Sequence, residues 1–354
     1  IAFPRPCPAP AKDGIPIPSP AWYDRIDLIL ERNEYPAVKR RIFCILTILC
    51  LALAACAPAA PAGSKSEPTQ SVSFTDDLGR TVTAESPRRV AALIGSFADL
   101  WQLAGGADTL VAAADDAWTS FDLNLGEDVV RLGGVKQINL EQLAAVQPDL
   151  VLASSNTAAQ VDLLPALEQL GLKVAYFKVA EFQDYLHMLD LCTQLTGDTD
   201  RFAQYGLGVE RQVQAARDRA DGSAPTALYI RATGAGCKVK NSRDSVLGEM
   251  LRDLGCVNIA DSDETLLEQL SLERILQLDP DFIFVVMQGA DKSEAQRALD
   301  HTLLANPAWQ SLTAVQQGRY YVMDDRLYNL KPNARWGEAY EHLADILYPD
   351  AGQA

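Results

Sequence analysis

From Val90 onward, short apolar runs alternate with longer stretches in which apolar residues recur at helical spacing. The runs Val90-Ala91-Ala92-Leu93-Ile94, Leu110-Val111-Ala112-Ala113-Ala114, Asp149-Leu150-Val151-Leu152-Ala153 and Lys173-Val174-Ala175-Tyr176-Phe177 are almost wholly apolar. Strands of that kind belong in a mostly parallel sheet covered by helices on both faces. Helical patterns over Ala98–Leu103 and Val161–Leu170 lie between them, and Gly105-Gly106 and Gly171 stand where a left-handed helix cap is needed before the next strand. A second block repeats the alternation: strand Ala227–Arg231, helix Ser245–Leu254 closed by Gly255, strands Phe282–Val286 and Arg319–Val322, and a last helix over 334–347. Residues 181–220 show no strand signal; Phe182, Tyr185, Leu186, Leu189 and Leu195 keep a helical period that breaks near Gly197-Asp198. The pattern predicts an α/β protein with an N-terminal lobe over 72–180, one long inter-lobe helix over 181–220, kinked at the break, and a C-terminal lobe over 221–354.

The two lobes carry an internal repeat. Asn139-Leu140-Glu141-Gln142-Leu143 through Pro148-Asp149-Leu150-Val151-Leu152 aligns with Ser271-Leu272-Glu273-Arg274-Ile275 through Pro280-Asp281-Phe282-Ile283-Phe284, at a constant offset of 132 residues. Each copy has the logic of a short helix, a Pro-Asp turn and a buried strand. Asn139 and Ser271 suit the N-cap, proline ends the helix, and aspartate bonds nearby N–H groups in the turn. One repeat at so long a spacing means two similar lobes, since solenoid periods are shorter.

The first 71 residues follow different rules. Proline recurs through residues 1–37, and a basic cluster, Val38-Lys39-Arg40-Arg41, precedes an apolar run of 14 residues, Ile42 to Ala55. Crossing a bilayer takes about 20 apolar residues, so residues 38–55 read as a signal peptide. The run ends in Leu53-Ala54-Ala55-Cys56, which resembles a bacterial lipobox. That resemblance implies diacylation of Cys56, which becomes the new N-terminus and anchors an extracytoplasmic protein to the cell membrane. Residues 1–37 are expected to lie outside the mature protein, and the Pro/Ala/Ser/Gly stretch over 56–71 is a tether too polar to pack.

Charge narrows the function. Of 31 Lys and Arg and 47 Asp and Glu, residues 1–55 hold seven and five, so the chain from Cys56 on keeps 24 against 42, a net charge of −18. Such a chain repels phosphate backbones, which argues against nucleic-acid binding. Three scattered histidines, His187, His301 and His342, are poor material for a protein metal site. Cys192, Cys237 and Cys256 require no disulfide, although a Cys237–Cys256 bridge stays open. No enzyme signature is complete: Gly234-Ala235-Gly236 lacks the third glycine of a dinucleotide loop, since position 239 is valine, and Gly95-Ser96-Phe97 lacks the second glycine of a nucleophile elbow. The chain is read as a non-enzyme with no cofactor of its own.

The paired motifs N-L-E-x-L-x-x-x-x-P-D-L-V and S-L-E-x-I-x-x-x-x-P-D-F-I resemble the helical-backbone substrate-binding proteins of ATP-binding cassette importers, the receptors for ferric siderophores, haem and cobalamin. Phe74 to Val82 is similar to that family's opening hairpin, Pro87-Arg88-Arg89-Val90 to the entry into its first strand, and the linking helix to its hallmark. The resemblance implies a monomeric lipoprotein receptor with a cleft between two lobes, and a permease dimer as its partner. It also implies that Glu141 and Glu273, at matching places in the repeat, dock onto permease arginines; helix-dipole stabilisation is the plainer account of these acids. A haem or cobalamin receptor of the same family, and a lipoprotein adhesin or sensor with the same body, are the alternatives to a ferric siderophore receptor.

Ligands of open α/β sheets sit beyond the carboxyl ends of the strands. The loops expected there supply Ser96, Phe97, Trp118, Asn156 and Lys178 from the first lobe. Arg231, Lys240, Asn241, Arg243, Gln288, Tyr328, Arg335 and Trp336 come from the second. The expectation is that Arg231, Lys240, Arg243 and Arg335 hold an anionic iron complex by bidentate hydrogen bonds while Trp118, Tyr328 and Trp336 pack its flat parts. A solvated basic turn is the plainer account of 238–243.

Overall fold

The computed structural model describes residues 71–349 apart from Asp244 and Ala290. The leader, Cys56 and the tether up to residue 70 lie outside the described residues. Strands β1 (Ser71–Thr75) and β2 (Thr81–Glu85) form an antiparallel hairpin. There follow β3 (Val90–Ala92), helix α1 (Gly95–Leu103), β4 (Leu110–Ala113), β5 (Val130–Arg131), helix α2 (Leu140–Ala145), β6 (Leu150–Ser154) and β7 (Val174–Phe177). β3 to β7 make one parallel sheet in the order β5-β4-β3-β6-β7. The hairpin closes one edge of this sheet. The Asp76 carboxylate accepts from the Tyr176 backbone N–H and from the Arg80 side chain, Arg80 also donates to the Val174 carbonyl, and Phe74 stacks on Phe177.

Helix α3 (Phe182–Thr196) leaves the first lobe and stops at Gly197, which sits at φ +79°. The chain resumes as a π-helical turn, Phe202–Leu207, and runs on as α4 (Gly208–Arg217). The expected single helix is therefore two, because a left-handed residue ends the hydrogen-bond ladder of the first. The second lobe comprises β8 (Thr226–Thr233), β9 (Gly236–Lys240), α5 (Val246–Asp253), β10 (Val257–Asn258), α6 (Leu272–Leu278), β11 (Phe282–Met287), α7 (Lys292–Leu299), β12 (Tyr320–Met323) and α8 (Trp336–Leu347). Its sheet runs β10-β8-β11-β12, all parallel, with β9 antiparallel on β8.

Each sheet has its own core. Ala91, Leu93, Ala112, Val151, Ala153 and Tyr176 meet Leu143 and Leu167 in the first lobe; Leu228, Ile230, Ile283 and Val285 meet Ile275, Leu299, Leu303 and Trp309 in the second. Each fully buried Leu, Ile or Val among them contributes about 1.5–3 kcal/mol. The repeat is visible in detail. Asn139 accepts from the Gln142 N–H and Ser271 from the Arg274 N–H as N-caps, and Gln147 and Asp279, at equivalent positions, both adopt positive φ. The Pro-Asp aspartates do more than the turn required. Asp149 accepts from the Arg88 and Arg89 N–H groups, and Asp281 from the N–H and hydroxyl of Thr226, so each carboxylate pins the entry of a neighbouring strand rather than its own turn.

Candidate functional site

The described residues form one compact unit, and its lobes meet where α1 faces the segment that leads into α8. A cavity of about 170 Å³ opens there. Asp99, Leu103, Phe121 and Leu123 line it from the first lobe, and Arg326, Lys331, Pro332, Ala334 and Arg335 from the second. Arg326 is set by the short helix Asp325–Tyr328, whose N-cap Asp324 accepts the Arg326 N–H. Its guanidinium lies over the Phe121 ring, 5.5 Å from the centroid, so a cation of one lobe rests on an aromatic face of the other. Asn333 reaches across as well: its Nδ2 donates to the Ser96 carbonyl and to Asp99 Oδ2, each at 2.8 Å.

The first-lobe wall is held by close backbone packing. A side chain on Gly95 would come within 2.6 Å of the Ala117 nitrogen, so glycine is required for the loop after β3 to lie against the loop after β4. The Gly95 N–H donates to the Asp116 carboxylate at 2.8 Å. Gln160, fully buried, donates to the Leu93 and Val135 carbonyls and accepts from Ser154, which locks the ends of β3 and β6 together.

Charge in and around the cavity is perturbed by burial. Desolvation raises the Asp116 pKa from 3.8 to about 6, against the opposing pull of the Gly95 hydrogen bond and of Lys331. Desolvation also raises Asp99, partly offset by Asn333 and Arg326. Lys331 is lowered by burial, and the carboxylates of Asp116 and Asp184 only partly restore it. Its ammonium makes no hydrogen bond or close ion pair among the described residues. Arg335, by contrast, is held bidentately by Glu338 at 2.7 Å on both arms. The lining thus presents three cations and one carboxylate, with the charge of Lys331 the least engaged.

Of the residues singled out from the sequence, only Arg335 lines this cavity. Four others are buried. Phe97 and Tyr328 are 1% exposed and Trp336 is fully buried. Trp336 packs edge-on against Phe182 of α3 and against Tyr340, while the Tyr328 hydroxyl donates to the Ala339 carbonyl. Ser96 is buried too, and takes part through its carbonyl rather than its hydroxyl. Lys238 and Lys240 stand on β9 instead of in a loop beyond β8. The hairpin turns the chain back, so Lys240 pairs with Tyr229 in the middle of β8, and Asn241 and Arg243 follow it away from the carboxyl end. Arg231 is half-buried beside Tyr229, 3.3 Å from its hydroxyl. Trp118 carries the Arg131 guanidinium 4.3 Å above its ring, and Asn156, Lys178 and Gln288 are exposed. Cys237 and Cys256 are free thiols, and among the described residues no cluster of His, Cys, Asp and Glu side chains could hold a metal ion.

The sequence reading missed Phe121, Arg326, Lys331 and Asn333. It did point to the segment from Tyr328 to Trp336, but chose its aromatics. The available signal was the opposite one: the large apolar members of a helix-forming segment turn inward, leaving Arg326 and Lys331 for the cleft.

A family model described as periplasmic binding protein matches residues 90–327. The chain belongs to the periplasmic binding protein family. Among relatives of this binding protein, the putative ABC transporter substrate-binding lipoprotein YhfQ of Bacillus subtilis is 22% identical over 310 residues, covering 82% of this chain and 93% of its own. The Fe(3+)-citrate-binding protein YfmC of the same organism is 24% identical over 293 residues, covering 80% and 88%. The periplasmic heme-binding protein RhuT from Roseiflexus sp. RS-1, in apo form, superposes with a TM-score of 0.60 at 20% identity over 74% of this chain and 98% of its own. That likeness shows the fold of two α/β lobes.

Proposed function

We propose that this binding protein is the extracytoplasmic receptor of an ATP-binding cassette importer and that it captures an anionic, oxygen-rich iron chelate, of the ferric siderophore or citrate kind, between its lobes. The observation that carries the reading is the inter-lobe cavity itself, where Arg326, Lys331 and Arg335 face a single acid, Asp99, on a chain of net charge −16. Guanidinium and ammonium groups recognise carboxylate, catecholate and hydroxamate oxygens through charge-assisted hydrogen bonds. The iron arrives with its own ligand shell and asks for no protein metal site. The substrate-binding and Fe(3+)-citrate-binding names of the relatives agree with this. Delivery to the permease is assigned to Glu141 and Glu273, both exposed in the first turns of α2 and α6, one on each lobe. Anchoring is assigned to lipid on Cys56, and the receptor acts as a monomer.

The test is a calorimetric titration of the purified protein with ferric citrate, ferric siderophores of the three oxygen-donor classes, haemin and cyanocobalamin. A ferric chelate is expected to bind in the micromolar range or tighter. Binding of a neutral nutrient with no response to any metal chelate would overturn the ligand class.

A further inference from the structure

Strand β12 ends the second-lobe sheet, with β11 as its one partner among the described residues. The Ile283 N–H donates to the Arg319 carbonyl, so by alternation along the strand Tyr321 and Met323 face β11, while Tyr320 and Val322 turn their N–H and C=O groups outward. Such an edge is a template for another strand, and lysine, proline or a bulge commonly guards it. β12 has none of these, and Val322 on it is 53% exposed. A groove of about 430 Å³ lies beside this edge, within the ~300–1,000 Å³ of ligand sites. Val322, Met323 and Leu327 give it an apolar side. Its other side is a stripe of α8, where Glu338, Glu341, His342 and Asp345 recur at helical spacing while Trp336, Tyr340 and Leu343 of the same helix are buried. Asp324 adds a fourth acid from the end of β12. Arg335 is taken up by Glu338, and Asp345 by Arg219. Glu341 and Asp324 are left with no ion pair among the described residues, since the Asp324 carboxylate only accepts the Arg326 backbone N–H. Arg335 is the wall that this groove shares with the inter-lobe cavity.

We propose that the β12 edge and its groove are a docking surface for an extended, cationic segment of a partner protein, which adds to the sheet as a further strand. The backbone of that segment pairs with Tyr320 and Val322, its apolar side chains cover Val322, and its lysines or arginines meet Glu341 and Asp324. A second copy of this chain is the wrong occupant. Pairing two β12 edges would bring two acidic stripes together, on chains that each carry a net charge of −16. The surface is separate from Glu141 and Glu273, which stand on α2 and α6. Through Arg335 and Glu338 it places the partner directly beside the cleft.

The experiment titrates the purified protein with a short peptide of alternating lysine and valine. One control peptide is N-methylated on the backbone nitrogens that would face β12, and another carries glutamate in place of lysine. The lysine peptide is expected to bind by calorimetry and to slow hydrogen exchange of the Val322 amide about tenfold. Val322→Lys and Glu341→Lys, both at exposed positions, should each weaken binding about tenfold with the melting temperature unchanged. Absence of binding overturns the proposal, as does equal binding of the N-methylated or the glutamate peptide, or binding that leaves the Val322 amide unprotected. A photo-crosslinking phenylalanine in place of Val322 then tests the occupant in cells. An adduct to a lysine- or arginine-bearing segment of a different protein, lost when Glu341→Lys is added, supports the proposal. Adducts only to a second copy or within the same chain, or no adduct, overturn it.

Discussion

Asp116→Asn is expected to stabilise this protein at neutral pH, although it removes a carboxylate that accepts a hydrogen bond. Burial raises the Asp116 pKa from 3.8 to about 6. Between those two values the folded state holds a proton that the unfolded state has released, so stability falls as pH rises through this window. Above pH 6 the ionised carboxylate is a net cost of about 3 kcal/mol at most, from roughly 1.4 kcal/mol per pKa unit. An asparagine Oδ1 can still accept the Gly95 N–H, but Lys331 loses the opposing charge nearby. The net gain should therefore be about 1–3 kcal/mol at pH 7, or roughly 2–5 °C in Tm for a body of this size. Thermal unfolding followed by circular dichroism from pH 4 to pH 8 checks this. The advantage of Asp116→Asn should shrink as pH drops through 6 and be nearly gone by pH 4. A variant that is less stable than wild type at pH 7, or an advantage that does not change with pH, would refute the assignment of burial as the dominant influence on this carboxylate.

Lys331→Gln should weaken ferric-chelate binding about ten- to hundredfold by calorimetry, the worth of a charged hydrogen bond, whereas Arg335→Gln should cost less because Glu338 already engages that guanidinium. In wild type the affinity for an anionic chelate should rise as pH falls through about 6, since protonating Asp116 leaves only Asp184 to oppose the Lys331 charge; a flat profile argues against Lys331 as a ligand contact. The double variant Glu141→Ala/Glu273→Ala should bind chelate as wild type does yet lose uptake in cells, and normal uptake would remove these residues from docking. Cys56→Ser should abolish detergent partitioning and release the protein from cells; retention on the membrane would exclude the lipid anchor.

The architecture was legible because it depends on local signals. Apolar runs such as Val90–Ile94 and Phe282–Val286 are what a doubly covered parallel strand demands, and the duplicated N-cap, Pro-Asp turn and strand each declare themselves within a dozen residues. Even the break of the linking helix was written at Gly197, where a left-handed residue ends the ladder. The site was not legible in the same way. Whether an aromatic of the 328–336 segment faces a ligand or the core depends on what packs against it, and Phe182 and Tyr340 claim Trp336 for the interior. Whether Lys240 lies in a loop or on a strand depends on a pairing with Tyr229 that no local pattern announces. Asn333 gains its meaning only from Ser96 and Asp99, more than 230 residues away in sequence. Periodicity and caps are properties of neighbouring residues, so the chain alone determined two lobes, their helices and their cores. The contents of the cleft are a property of surfaces brought together from distant segments, and only the tertiary structure decided which cations face it and which aromatics are buried behind it.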